Sequence, residues 1–166
     1  MNPIIIGNIC SLLAMFTDSV SANRKTARGV LLVQSLSQLI YCIGTVALKG
    51  YSGAVQNAVS ILRNFVAIKG IRSPVVEWFL VFLGVALGLG LNNLGFMGLL
   101  PVAANLQYTL VIFRFRDNER MLKFSFLLCM LCFALFNIAI FNVVGTLTNL
   151  AVAVSTAIYL IRTRKG

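Results

Sequence analysis

Seven apolar stretches, near residues 3–20, 29–48, 52–69, 74–91, 97–114, 122–141 and 144–162, account for most of the chain. Each comes close to the ~20 mainly apolar residues needed to cross hydrocarbon as a helix. The runs are continuous and do not alternate over about ten residues, so helices are expected and barrel strands are not. Only Leu91–Phe96 separates the fourth run from the fifth, which leaves a count of six as the competing reading.

The pattern is interrupted most strongly at Gly53–Asn64, where Gln56, Asn57, Ser60, Arg63 and Asn64 sit inside an apolar run. A weaker copy follows 92 residues later, Gly145-Thr146-Leu147-Thr148-Asn149, ahead of Ser155 and Thr156. Gly53 then matches Gly145, and Asn57 matches Asn149. With gaps, Asn8 matches Asn105, Asn23-Arg24 matches Asn118-Glu119-Arg120, and Pro3 and Pro101 precede the two asparagines. These matches predict two repeats, about 3–69 and 97–162. If both repeats begin on the same side, an extra crossing at about 74–91 must join them. The expected fold is therefore a single all-α membrane domain over 1–166, built as three helices, a linker helix and three helices.

Charge changes the picture by fixing direction. Lys and Arg gather after the first run (Arg24, Lys25, Arg28) and at the end of the third (Arg63, Lys69, Arg72). They gather again after the fifth (Arg114, Arg116, Arg120, Lys123) and after the seventh (Arg162, Arg164, Lys165), whereas only Lys49 falls at an opposite turn. The positive-inside rule then puts the amino terminus outside and the carboxyl terminus in the cytoplasm, and favours seven crossings over six. Composition agrees: 59% of residues are hydrophobic and 11% charged, against about a quarter charged in a soluble domain. A net charge of +10 beside apolar runs reads as topology and lipid contact, with no nucleic-acid partner expected. Met1-Asn2-Pro3 carries no basic residue, so no secretory leader is expected.

Asn57 and Asn149 fall at equal depth and are candidates to face each other across a central cavity and bind a polar solute. The alternative is that they join helices, a contact worth roughly 0.6–2 kcal/mol. Gln34, Gln38, Tyr41 and Thr45 share one helical face, as do Asn8, Ser11, Met15 and Asp18, and Asn105 shares a face with Tyr108. These stripes either line a watery path or hold helices together. Arg63, about two turns inside its helix end, is costly to bury unpaired; Asp18 is the expected partner and Glu77 the second choice, as an inner gate or a structural clamp. Gly84 and Gly88 offer a close-packing face. Cys10, Cys42, Cys129 and Cys132 all lie in apolar runs, and with no histidine the Cys129–Cys132 pair completes no zinc site. The absent histidine, the scattered acids and the lack of a nucleophile context argue against an enzyme, a cofactor or a metal.

Several features resemble the YgjV family of small bacterial inner-membrane proteins. They are Gly53-Ala54 with Asn57 and Arg63-Asn64, then Leu99-Leu100-Pro101-Val102, and the approach from Asn137 to Gly145-Thr146. Asn23-Arg24-Lys25 followed by Gln34 also fits. The plan is more distantly similar to the SWEET sugar facilitators, the PnuC vitamin transporters and other PQ-loop proteins. SWEET proteins hold the sugar with one asparagine in the third helix and one in the seventh, and Asn57 and Asn149 match those positions. No Pro-Gln pair is present, since Val102 follows Pro101. The expected function is a facilitator of an uncharged or zwitterionic polar metabolite, working by alternating access between the repeats, with membrane lipids and further copies of the chain as other partners. The competing reading is a receptor, an assembly subunit or a lipid-binding protein on the same fold.

Overall fold

A computed structural model describes residues 2–22, 27–71, 73–115 and 118–162. Arg24, Lys25, Arg72, Arg116, Arg164, Lys165 and the Asn23-Arg24 match lie outside the described residues. The described residues form seven helices, α1 (Pro3–Ala22), α2 (Ala27–Ala47), α3 (Tyr51–Ile68), α4 (Pro74–Gly90), α5 (Phe96–Arg114), α6 (Glu119–Ala139) and α7 (Val143–Arg162). No strand occurs among the described residues, and each helix matches an expected run to within about a turn.

Two helices, α6 over Arg120–Ala139 and α7, are long and apolar enough to cross a membrane by length and composition alone. Shorter apolar stretches occupy Pro3–Asp18, Leu31–Ala47, Pro74–Gly90 and Phe96–Val111. α3 meets neither standard because its middle is polar, although its 18 residues span about 27 Å at 1.5 Å per residue.

The chain is apolar outside and polar inside. Phe82 is 72% exposed and Leu147 63% exposed, whereas Ser11, Gln56, Asn57, Asn64, Asn105, Thr109 and Asn142 are buried. Water would drive the reverse distribution; hydrocarbon requires this one, since polar groups there must be satisfied internally.

Packing runs in a closed circuit. α1 packs on α2 and α2 on α3; α5 packs on α6 and α6 on α7. α3 meets α5, α1 meets α7, and α4 lies against α3 and α5.

The α2–α3 and α6–α7 turns share one backbone geometry. Leu48, Lys49 and Gly50 donate N–H bonds to the carbonyls of Gly44, Val46 and Thr45 at 3.1, 2.9 and 2.9 Å. Ile140, Phe141 and Asn142 donate to those of Phe136, Ile138 and Asn137 at 3.3, 3.1 and 2.9 Å. Ala54 bonds Gly50 and Thr146 bonds Asn142, both at 3.0 Å. Every donor and acceptor in the second set is shifted by the 92 residues that separate Gly53 from Gly145. The crossed pair of bonds is the Schellman termination, which needs a left-handed residue. Lys49 and Phe141 fill that position, each at φ 58°, although neither is glycine.

An amide from elsewhere in the chain steadies each turn. Asn93 Nδ2 donates to the Lys49 carbonyl at 2.7 Å, and Asn8 Nδ2 donates to the Phe141 carbonyl at 3.1 Å. Asn8→Ala and Asn93→Ala are each expected to lower stability by about 0.6–2 kcal/mol in detergent unfolding experiments. A cost from one variant and none from the other would show that the two contacts are not equivalent.

Candidate functional site

The polar face of α3 organises the interior. Gln56, Ser60 and Arg63 recur at i, i+4 and i+7 and so share a face, which meets α4 and α5. Gln56, 1% exposed, donates from Nε2 to the Gly84 carbonyl of α4 at 2.8 Å. Its Oε1 accepts from Asn105 Nδ2 of α5 at 2.7 Å. Asn105 Oδ1 in turn accepts from Arg63 Nη1 at 3.1 Å, so the three side chains form one ladder. Arg63 Nη1 also donates to Thr109 Oγ1 at 3.2 Å, Nη2 reaches Ser60 Oγ at 3.5 Å, and the guanidinium lies 5.4 Å from the Tyr108 ring centre. Tyr108 stacks obliquely on Phe126 of α6, with centroids 5.8 Å apart.

Small residues let α4 approach this ladder. A Cβ at Gly88 would come within 2.5 Å of Gln56 Nε2 and 2.6 Å of Val102, so the expected close-packing face of α4 exists and admits a glutamine. A cleft of about 10 Å³ lies between Gln56, Leu80, Gly84, Val102, Asn105 and Thr109. That is the lower bound for one water molecule.

The expected Arg63–Asp18 pair is not formed. Among the described residues Arg63 touches no carboxylate; its partners are neutral. Asp18 lies instead beside Ser37 and Tyr41, between α1 and α2. Glu77 sits in the first turn of α4, partly exposed, and is likewise not among the described partners of Arg63. An amide, two hydroxyls and a ring face can hold a guanidinium in place of an acid, which is why depth and charge pointed to the wrong partner.

Asn57 behaves differently from its neighbours. It is 9% exposed, and its side chain makes no hydrogen bond among the described residues. It lies one turn from Gly53 on the face shared by Gly53, Asn57, Ser60 and Asn64. A Cβ on Gly53 would collide with the ring of Phe136, and one on Gly50 would come within 2.8 Å of it. Phe136 belongs to α6 and is 1% exposed, so its ring crosses from the second group of helices to fill the space beneath the α2–α3 turn. Asn57 is therefore one turn deeper than a plug.

Asn149 is partly exposed and likewise makes no side-chain hydrogen bond among the described residues, but α3 and α7 are not a packed pair. Gln38 and Tyr41 are partly exposed on the α2 face that carries the buried Thr45, which also faces Gly50 and Gly53. Asn8 is committed elsewhere: Nδ2 donates to the Ile4 and Phe141 carbonyls at 2.8 and 3.1 Å, and Oδ1 accepts from Val144 N–H at 2.9 Å. Asn8 and Asn105, matched in the sequence, therefore do different work.

The sequence reading missed Phe136, Asn93, Thr109 and the Asn142 cluster. Asn142 Nδ2 donates to Ser11 Oγ at 2.8 Å, and Oδ1 accepts from Gly145 N–H at 2.9 Å, capping α7. Thr109 was findable, four residues past Asn105 on one face. Phe136 carried no signal, being one aromatic among many apolar residues.

No curated protein and no solved structure matches the chain. The family model for Imp-YgjV, bacterial inner membrane protein, matches residues 5–166. With the inside-out distribution of polar groups described above, that match makes the chain a membrane protein of the Imp-YgjV family.

Proposed function

We propose that this protein is a small facilitator for an uncharged or zwitterionic polar metabolite, with a central site between two three-helix repeats. The observation that carries the reading is Asn57, 9% exposed and with no side-chain hydrogen bond among the described residues, one turn beneath the Phe136 plug. An unpaired amide in hydrocarbon is costly unless something polar visits it. The repeat, with α4 as linker, draws support from the turn bonds that recur at 92 residues. It also draws support from the symmetric α3–α5 and α1–α7 contacts. On this reading the halves rock about the site as in alternating access, a SWEET-like plan. The described cations Arg28, Lys69, Arg114, Arg120 and Lys123 fall at the end opposite the two matched turns, which favours an external amino terminus and a cytoplasmic carboxyl terminus. Asn149, Gln38 and Tyr41 remain candidates to share the solute, with membrane lipids and other copies of the chain as further partners. No enzymatic role is proposed.

A thermal-shift screen of the purified protein against small polar metabolites, followed by liposome flux, tests the reading. Stabilisation by a hit should vanish in Asn57→Ala/Asn149→Ala while the unliganded melting point moves little. A variant that melts early and binds as well as wild type would sink the central site. A second reading, a receptor or assembly subunit, is favoured by the small cleft of about 10 Å³. It predicts binding without flux.

A further inference from the structure

The geometry points to Arg63 as the binding site for the carboxylate of a small solute. The inference deepens the facilitator reading and rests on it, because it assigns the solute an anionic end.

The first ground is charge. Arg63 lies in α3 with no carboxylate touching it among the described residues, and every partner it has is neutral. A half-buried cation without a counter-charge is an incomplete arrangement in a low-dielectric interior. Snorkelling does not complete it. The guanidinium reaches Asn105, nine residues before the α5 terminus at Arg114, and so points into the membrane and away from the basic end.

The second ground is the donor inventory. A guanidinium has five N–H donors in a fixed fork. Nη1 donates to Asn105 and Thr109, and Nη2 to Ser60 at the long distance of 3.5 Å. Among the described residues Nε has no hydrogen-bond partner and Nη2 has only that long one. Those two form one edge of the plane, the edge that takes both oxygens of a carboxylate. Asn105, Thr109 and the Tyr108 ring hold the rest of the plane still, so the fork is oriented before a ligand arrives.

The third ground is position. Ser60 lies between Asn57 and Arg63 on the α3 surface, at i+3 from the first and i−3 from the second. Asn57 and Arg63 sit on adjoining faces of α3, about 120° apart, so a solute that touches both would lie across Ser60.

Matched probes test this: acetate, lactate and N-acetylglycinate against acetamide, lactamide and N-acetylglycinamide, in chloride-free buffer. The readout is the concentration that gives half the maximal rise in melting temperature. Carboxylates are expected to act at concentrations at least about tenfold lower than the amides. Arg63→Gln should erase that difference, and Arg63→Lys, which keeps the charge and loses the fork, should keep only part of it. Should Arg63→Gln fail to fold, the acid–amide comparison on the wild-type protein decides alone. Equal potency of acids and amides overturns the proposal, as does no effect from any carboxylate. Chloride acting as well as lactate would also overturn it, as would a rise produced by phosphatidylglycerol and by no carboxylate. Neutral metabolites that stabilise through Asn57 would keep the central site standing in each of those cases.

Discussion

Phe136→Ala is expected to destabilise the protein by about 3–5 kcal/mol and to admit water-soluble reagents beneath the α2–α3 turn. The ring is 1% exposed, and only the missing side chains of Gly50 and Gly53 leave it room. Truncation leaves a cavity that the stiff turn cannot collapse to fill. Stability would be read by unfolding in detergent. Access would be read by labelling Thr45→Cys with an impermeant maleimide, in a background where the four native cysteines are replaced. Labelling should be slow with Phe136 and fast with Phe136→Ala; equal rates would show that the ring seals nothing. The reciprocal change adds a check. Gly53→Ala drives a methyl onto the ring and should itself destabilise, yet cost less in the presence of Phe136→Leu. Independent costs would mean the two do not share a space.

Asn105→Leu is expected to cost about 2–5 kcal/mol, because one substitution strips two partners at once. Gln56 Oε1 loses its donor and Arg63 Nη1 loses an acceptor, both away from water. Adding Gln56→Leu should restore part of the loss, since the orphaned Gln56 oxygen disappears. What remains measures the stranded guanidinium. If Asn105→Leu proves nearly neutral, water reaches the ladder freely and the α3–α5 contact is not held by it.

Helices were legible because hydrocarbon imposes a simple rule on sequence: long apolar runs, broken by charges and glycines, gave all seven elements. The offset of 92 was legible from Gly53, Gly145, Asn57 and Asn149, and the turn bonds around Lys49 and Phe141 repeat it in the backbone. Partnerships were not legible. Arg63 was assigned an acid by charge and depth, but Asn105, Thr109 and Tyr108 hold its Nη1 side and its ring-facing plane by geometry that only the approach of α5 creates. Asn8 looked like a lining residue, yet it is consumed by the Phe141 carbonyl and the Val144 N–H, both more than a hundred positions away. A periodic face says which way a side chain points and nothing about what it meets.

The Asn8 and Asn93 contacts also bear on cooperativity. They clasp opposite flanks of the same end of the circuit, and Asn142 with Ser11 adds a third link at the α1–α7 flank. Prising that end apart breaks all three together, so no intermediate state is gained by loosening one. At about 0.6 kcal/mol each, they amount to about 2 kcal/mol, roughly a thirtyfold preference for this arrangement over one in which all three are broken. In the proposed facilitator, such a latch is weak enough for thermal motion to open in passing.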